Sequence, residues 1–574
     1  MMDYRIPRRR ILSLFAGFLM FCLAIGYRIF SFQVVKSQSL SEQAVAFRFQ
    51  DTVVPANRGN IFDARGIELA TNVPADTISV IVNQLDDPTK TASLLAPLIG
   101  RSSDSIYSAI TQPGKEWVVL KRRLSDDASQ KINSLNIPGI VLQSEPRRIY
   151  PMADFASQVL GFVNYDYVGS YGVEGEYDQT IAGTPGKLIG ERDGSGHVIA
   201  LAKSAWDPPI DGADLTLTID ASIQWIIEKA LDQAIAAQQA AGGTIVVQNP
   251  KTGEILGMAN RPSFNPNNFD TVTDASLFEN SAISDTYEPG STFKSVVMSI
   301  GLETGMVSPN TVHDGGSYKI LPGGAEVHNA LDVDFGPETM TEVLQHSSNL
   351  GAMWVAELVG EDRFYRGLVS FGIGQPTGID LQGESAGILP LPGQADWSEA
   401  NFYTNAFGQG LAVTPIQLVN AVSVLANGGV LMTPHVVKEI KVKSGNKSID
   451  PKPVHRVISE KTSHTITQML TTVMDTTYIK YSVPGYDIAA KSGTAQIPSP
   501  SGGYEENATI GSILGYGPSS DPQFSVLVKI DLPQKSPWGE SAAGPAFQQV
   551  FQQLFLLYGI PPTKAVTPPD TSQP

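Results

Sequence analysis

Three short clusters carry the side chains best suited to chemistry. Ser291-Thr292-Phe293-Lys294 follows Glu288-Pro289-Gly290 and opens an apolar run at Phe293, Val296, Val297 and Ile300. Pro and Gly end a loop there, and the apolar spacing is helical. Ser291 is therefore predicted at a helix N-terminus, with Lys294 one turn later on the same face. A neutral amine beside a serine hydroxyl can accept its proton, and burial is what would lower the lysine pKa enough. The helix N-terminus also offers backbone N–H groups to a developing oxyanion. Ser347-Ser348-Asn349 could bring a hydroxyl and an amide into the same cleft, to relay protons and hold a substrate amide. Lys491-Ser492-Gly493-Thr494-Ala495-Gln496 follows Tyr486-Asp487-Ile488-Ala489-Ala490, which reads as the start of a strand. That strand would offer a cation and donors to a carboxylate. Its glycine would let a substrate backbone approach as an added strand.

Each cluster has a plainer reading. Ser291 and Lys294 could be a helix cap and a solvated lysine. Ser347-Ser348-Asn349 could be a loop or a cap, and Lys491 could protect an edge strand. Chance matches occur in this chain: Ser444-Gly445-Asn446-Lys447 repeats the first spacing in a polar turn, and Lys443-Ser444-Gly445 repeats the third. The order of the three clusters is what sets them apart.

The elements that must position these residues can be read from period and punctuation. Leu215-Thr216-Leu217-Thr218-Ile219 reads as a strand, and Asp220 as the N-cap of a helix through Ile223, Ile226, Ile227, Ala230, Leu231 and Ile235. Thr244-Ile245-Val246-Val247, the turn Pro250-Lys251-Thr252-Gly253 and Glu254-Ile255-Leu256-Gly257-Met258-Ala259 form a hairpin beside that helix. The pattern is α+β, with helices against an antiparallel sheet. Earlier, from residue 35 to 209, the chain reads as a β-rich module with short helices. Thr77-Ile78-Ser79-Val80-Ile81-Val82 has strand period, and turns stand at Asp63-Ala64-Arg65-Gly66 and Asp193-Gly194-Ser195-Gly196. A turn-rich boundary at Asp207-Pro208-Pro209-Ile210-Asp211-Gly212 divides the module from residues 210–563, and 564–574 reads as a disordered tail.

The chain has 574 residues, which implies two or three domains, and a formal net charge of -17, which argues against nucleic acid as a partner. Its single cysteine, Cys22, excludes intrachain disulfides and cysteine-based zinc sites. Arg5, Arg8, Arg9 and Arg10 precede the uncharged stretch from Ile11 to Tyr27; Arg28 can snorkel, and Ile29, Phe30 and Phe32 extend the apolar surface. We read residues 1–10 as a cytoplasmic tail and 11–30 as a transmembrane helix, with everything after about residue 35 outside the cytoplasm. A cleaved signal peptide ending near Ala24-Ile25-Gly26 is the competing reading, and bulky Phe21 before Cys22 argues against a lipoprotein.

In order, Ser-x-x-Lys, Ser-x-Asn and Lys-Ser-Gly resemble the motif set of penicillin-binding proteins and serine β-lactamases. The resemblance continues outside them. Arg58-Gly59-Asn60-Ile61-Phe62-Asp63, Arg148-Ile149-Tyr150-Pro151 and Gly172-Val173-Glu174-Gly175-Glu176-Tyr177-Asp178 are similar to pedestal motifs of class B penicillin-binding proteins. Asn249-Pro250-Lys251-Thr252-Gly253, Arg261-Pro262-Ser263-Phe264 and Phe407-Gly408-Gln409-Gly410 are similar to segments of their transpeptidase domain. Ala490 and Ser492 depart conservatively from the glycine and threonine that many members have there.

The resemblance implies a penicillin-binding, serine β-lactamase-like transpeptidase domain, its antiparallel sheet flanked by helices on both sides. That domain would stand on an elongated β-rich pedestal behind one N-terminal transmembrane helix in the cell membrane. It implies a peptidoglycan D,D-transpeptidase of the FtsI type, acting in septal wall synthesis. An elongation-type enzyme, a tethered β-lactamase or carboxypeptidase, and a non-catalytic scaffold or β-lactam sensor are the alternatives. The implied catalytic residues are Ser291 as nucleophile, Lys294 as general base, Ser347 and Asn349 as proton relay and substrate guide, and Lys491 in support. Ser492, Gly493 and Thr494 would bind substrate, and the N–H groups of Ser291 and Thr494 would form the oxyanion hole. No metal or organic cofactor is implied. Implied partners are stem peptides ending in D-Ala-D-Ala, β-lactams as covalent inhibitors, and a SEDS-family glycosyltransferase with other divisome membrane proteins.

Overall fold

The structure is a computed structural model that describes residues 8–41, 49–191, 205–443, 445–499 and 502–565. Arg5, the turn at 193–196, Ser444 and the tail beyond 565 lie outside the described residues. The chain groups into two units, Met1–Asn57 with Gly183–Asp211, and Arg58–Ala182 with Gly212–Pro574.

In the first unit a helix runs over Arg8–Phe30 and a π turn over Ser31–Val35, and neither buries a residue. Helical character thus continues through Arg28, beyond the uncharged Ile11–Tyr27 stretch. At 1.5 Å per residue the helix extends about 34 Å, enough for a hydrocarbon core of about 30 Å. Gly186–Glu191 lies between Phe49–Val54 and Ala205–Asp207, antiparallel to both.

The second unit is built around an antiparallel sheet. Its strands are β1 (Gly242–Gln248), β2 (Ile255–Arg261), β3 (Ala489–Pro498), β4 (Tyr504–Gly517) and β5 (Phe524–Asp531), in the order β2-β1-β5-β4-β3. Alternation of side chains gives each strand two covered faces. On β4, a methyl at Gly515 would meet Phe547 of the helix Gly539–Leu557, whereas neighbouring Tyr516 bonds Thr467 of the helix Glu460–Thr476. The first face also takes Ala221–Gln238, whose Ile223 and Ile227 fill the space over Gly257. Asp220 caps that helix by accepting the Ser222 N–H at 2.8 Å. The other face takes Pro415–Ala426, where Asn420 Oδ1 accepts from Gln248 Nε2 at 2.9 Å. The expected α+β architecture, with helices on both sides of an antiparallel sheet, is present.

A second sheet in this unit joins early and late sequence. Ile61–Phe62 runs parallel to Asp214–Leu217, and Glu68–Ile81 pairs with Ile140–Ile149 from Thr71↔Ile149 to Val80↔Ile140. Ile78 and Val80 form a separate core with Leu95, Ile99, Ile106 and Ile110. Beside this sheet, Glu174 is fully buried and accepts from Arg58 Nε at 2.5 Å, Arg148 Nε at 2.7 Å and the Tyr150 hydroxyl at 3.3 Å. Both guanidiniums are also buried. Glu174→Ala would take the carboxylate from Arg148 Nε and leave Arg58 with Asp178 Oδ1 at 2.6 Å, and we expect it to cost about 3–5 kcal/mol. Urea unfolding of the variant should show a correspondingly lower midpoint; an unchanged midpoint would mean that the network contributes nothing.

Candidate active site

A cleft of about 720 Å³ lies along β3, and Ser291, Ser347, Asn349, Ser492, Gly493 and Thr494 all line it. Lys294 and Lys491 are buried, with only 1% and 2% exposed. Residues from three distant stretches of chain are therefore brought together.

Ser291 stands in a single 3-10 turn, Gly290–Phe293, that continues into the α-helix Lys294–Glu303. The turn is shaped by backbone on backbone. Gly290 has φ +55°, and its N–H donates to Gly408 O at 3.0 Å. A Cβ on Gly408, itself at φ +80°, would lie 2.2 Å from Gly290 O. Only glycine permits both the positive φ and that approach. Gly493 acts from the opposite direction: a Cβ there would sit 2.9 Å from Pro289 O and 3.0 Å from Thr292 N. The close approach it allows is thus to the serine turn itself, a different reason from the substrate strand expected of it. β3 is nonetheless the edge strand of its sheet.

Ser347, with φ +58°, ends the helix Met340–His346, and Ser348 caps Asn349–Val359 by accepting the Gly351 N–H at 3.0 Å. The plainer reading, a helix cap, therefore holds for Ser348, and the turn it makes directs its neighbours into the cleft. Lys294 Nζ donates to Ser347 O at 2.5 Å, Asn349 Oδ1 at 2.7 Å and Ser347 Oγ at 3.3 Å. Asn349 is held in turn, its Nδ2 donating to His328 O and its N–H to Asn329 Oδ1, both at 2.8 Å.

Burial dominates the electrostatics of Lys294. Burial drives the Lys294 pKa well below that of a free lysine, the Lys491 cation lowers it further, and Glu338 opposes both. Burial also acts to raise Glu338, but hydrogen bonds from His313, Ser348 and His346 outweigh it and hold that carboxyl below its ordinary value. Lys491 Nζ donates to the Tyr478 hydroxyl at 2.9 Å and to Ser492 O at 3.0 Å. Ser492 Oγ donates to the same Tyr478 oxygen at 2.8 Å, and Thr494 Oγ1 accepts the Gly539 N–H at 2.9 Å.

Tyr478, Glu338, Asn329 and the Gly539 N–H escape sequence reasoning. None stands in a recognisable spacing with the three clusters, and only folding brings them alongside. Gly408 was within a matched segment, Phe407-Gly408-Gln409-Gly410, but nothing in the sequence ties it to Gly290.

A serine on a helical turn, a buried lysine of lowered pKa behind it, and a lysine-bearing edge strand beside it define a serine acyltransferase. Residues 243–552 match the penicillin binding protein transpeptidase domain, and 53–217 match the penicillin-binding protein dimerisation domain. Stage V sporulation protein D of Bacillus subtilis is 34% identical over 569 residues, covering 97% of this chain and 87% of that protein. Peptidoglycan D,D-transpeptidase FtsI of Escherichia coli is 30% identical, covering 97% of this chain and 93% of that protein. A peptidoglycan synthetase from Bifidobacterium adolescentis superposes with a TM-score of 0.72 at 27% identity, covering 91% of this chain and 99% of that one. This chain belongs to the class B penicillin-binding proteins, the serine D,D-transpeptidase family.

Proposed function

We propose that the protein cross-links peptidoglycan in the septal wall, and that Ser291 is its nucleophile. Ser291 Oγ attacks the carbonyl of the penultimate D-Ala of a stem peptide while its proton passes to Lys294. The N–H groups of Ser291 and Thr494 receive the oxyanion. The amide bond to the terminal D-Ala then breaks, and D-Ala departs with the proton, leaving an ester on Ser291. An amine from a neighbouring strand attacks that ester, forming the cross-link and freeing the serine. Ser347 and Asn349 guide substrate and protons, and Lys491 supports them. Ser492, Gly493 and Thr494 form the carboxylate end of the site. The observation that carries this reading is Lys294, buried at 1% exposure and held neutral-prone one turn from a cleft serine.

β-Lactams would acylate the same serine. Penicillin binding protein 3 of Mycobacterium tuberculosis, 27–28% identical with TM-scores of 0.69–0.70, has been solved with aztreonam and with ampicillin. We take residues 35–209 as a pedestal and 210–563 as the transpeptidase domain, and residues 11–30 of the helix Arg8–Phe30 as a single membrane anchor with its N-terminus in the cytoplasm. A SEDS-family glycosyltransferase is the partner that a septal role requires. Likeness to FtsI supports the septal assignment, and likeness to stage V sporulation protein D favours a specialised wall as the second reading.

Full-length protein in detergent, given a stem pentapeptide and an amine acceptor, should release D-Ala and form a cross-linked dimer. Free tetrapeptide without dimer would indicate a carboxypeptidase instead. Depletion in cells should give filaments; rounded cells would indicate elongation, and a defect confined to spores a specialised wall.

A further inference from the structure

Transfer to an amine has a proton balance that the three clusters do not close. An alkyl amine in water is an ammonium near neutral pH. It brings three protons to the ester on Ser291; the new amide keeps one, and one returns to Ser291 through Lys294. The remaining proton must leave on another base. Lys294 carries one transferred proton at a time, and its amine already faces Ser347 O, Ser347 Oγ and Asn349 Oδ1. Outside the clusters, the cleft is lined by Glu326, His328, His346 and Glu540, side chains that can carry a full charge. Glu540 follows Gly539, whose N–H is bonded to Thr494, so it stands at the β3 wall where the donor lies. His346 turns Nδ1 to the buried Glu338, 3.2 Å from its Oε2. Glu326 and His328 remain, on the wall that carries Asn349.

These two residues belong to the strand Glu326–His328, paired antiparallel with Tyr318–Ile320, and being two apart they share one face. The wall is tied to the catalytic turn. His328 O accepts Asn349 Nδ2 at 2.8 Å, and Asn329 Oδ1 accepts the N–H groups of Asn349 and Leu350 at 2.8 and 3.2 Å. The His328 ring stacks on Tyr318, with centroids 5.7 Å apart and 28° between planes. Its Nε2 lies 3.4 Å from Glu326 Oε2, and its Nδ1 lies 3.2 Å from Asp332 Oδ1. Leu331 and Asp332 have φ of 61° and 54°, a conformation unfavourable to L-residues, and the turn they make returns Asp332 to the ring. A carboxylate therefore stands at each ring nitrogen, and an imidazolium has a partner at both ends. Over a third of the His328 side chain is exposed, so a proton taken there can pass on to water.

We propose that Glu326 and His328 form the subsite for the acceptor amine, Glu326 binding the ammonium and His328 taking its surplus proton. An amine held on Glu326 is within reach of His328 Nε2. The neutral nitrogen then attacks the ester carbonyl on Ser291. The C–N bond forms and the C–Oγ bond breaks, a second proton travels from nitrogen through Lys294 to Ser291 Oγ, and the imidazolium gives its proton to solvent. This rests on the reading of Ser291 as the acylated nucleophile of a transpeptidase, and it supplies the acceptor side of that reaction.

The test uses full-length protein in detergent, acylated by a D-Ala thioester and offered one of two acceptors. One is a stem tripeptide with a primary side-chain amine; the other is hydroxylamine, which is already neutral near neutral pH. Mass spectrometry gives the ratio of transfer product to hydrolysed donor. His328→Gln should lower that ratio roughly 10²-fold for the tripeptide, the usual contribution of a positioned base, and leave it within about 3-fold for hydroxylamine. Glu326→Gln should raise the tripeptide concentration for half-maximal transfer by roughly 10-fold, the effect of losing a hydrogen bond between charged groups. Both variants should take a fluorescent penicillin at the wild-type rate, since acylation comes before the acceptor binds. Equal losses with the two acceptors would overturn His328 as the base. Slower acylation with an unchanged product ratio would overturn the subsite and give this wall to the donor. Should His328→Gln fail to fold, seen as loss of the penicillin label, Glu326→Gln decides by itself. A wild type that is acylated yet only hydrolyses would overturn the proposal and leave Ser291 in place. Failure of wild type to be acylated at all would instead remove the transpeptidase reading beneath it.

Discussion

Ser291→Ala is expected to abolish covalent labelling of the protein by a fluorescent penicillin, with the fold unchanged. In the proposed mechanism Ser291 Oγ forms the ester, while the hydroxyls of Ser347, Ser492 and Thr494, which also line the cleft, bind substrate and relay protons. Removing the nucleophile of a serine acyl-transfer site typically costs on the order of 10⁴- to 10⁶-fold in rate, below the detection limit of a gel label. Ser291 is only partly buried near the start of the Gly290–Phe293 turn, so losing one oxygen opens no internal cavity and thermal unfolding should move little. Wild type should hold its label through dialysis, because an acyl-enzyme that water hydrolysed quickly would describe a β-lactamase. Labelling that persisted in Ser291→Ala would assign the chemistry to another serine. A folded wild type that took no label would remove the catalytic assignment altogether.

Lys294→Met should slow acylation by roughly 10²- to 10⁴-fold, the range for loss of a positioned general base. Methionine keeps most of the volume, so a loss would belong to the amine. The pH dependence carries the sharper signature. Burial first, and then the Lys491 cation, hold the Lys294 pKa well below that of a free lysine. In the proposed mechanism the neutral amine is the active form, so acylation by wild type should fall as pH is lowered through that depressed value. Lys294→Met should lose this limb. Glu338 pulls the other way, so Glu338→Gln should shift the limb to lower pH. A limb that moved to higher pH would overturn the charge assignment.

Stability follows the same sign. Between the depressed folded value and the ordinary unfolded value the unfolded chain binds more protons at this lysine, so its contribution to stability improves as pH rises across that window. Its full penalty is present below the folded value. Urea midpoints of wild type should therefore rise with pH more steeply than those of Lys294→Met. Parallel curves would mean that Lys294 ionises as freely in the folded protein as in the unfolded chain.

Much of the architecture is legible from local pattern, because local physics governs it. Asp220 caps the helix that its side chain suggests, and the 244–259 hairpin closes at Pro250–Gly253 because that sequence can turn. The apolar run after Ser291 is helical, with the serine in its first turn. Boundaries are less legible. Thr77–Val82 has strand period, but the strand runs from Glu68 to Ile81, since pairing with Ile140–Ile149 extends it through residues of no clear alternation. The N-terminal helix likewise passes through Arg28, which ends the uncharged stretch without ending the hydrogen-bond ladder.

Residue types and order suffice to bring Ser291, Lys294, Ser347, Asn349, Lys491, Ser492, Gly493 and Thr494 forward, since each cluster carries its own chemistry in a few consecutive positions. The sequence also determines the helical turn that puts Ser291 and Lys294 in register, because that depends on spacing within one element. What it leaves open is every relation between elements. That Gly493 is required by Pro289 and Thr292, that Gly408 lies on Gly290, and that Glu338 tempers Lys294 are consequences of packing among segments far apart in the chain. Tyr478 belongs with these: its hydroxyl has a partner set only because a helix end and an edge strand meet there. Hydrogen bonds and Coulomb forces act over a few ångströms, and only the tertiary fold decides which distant residues come within that range.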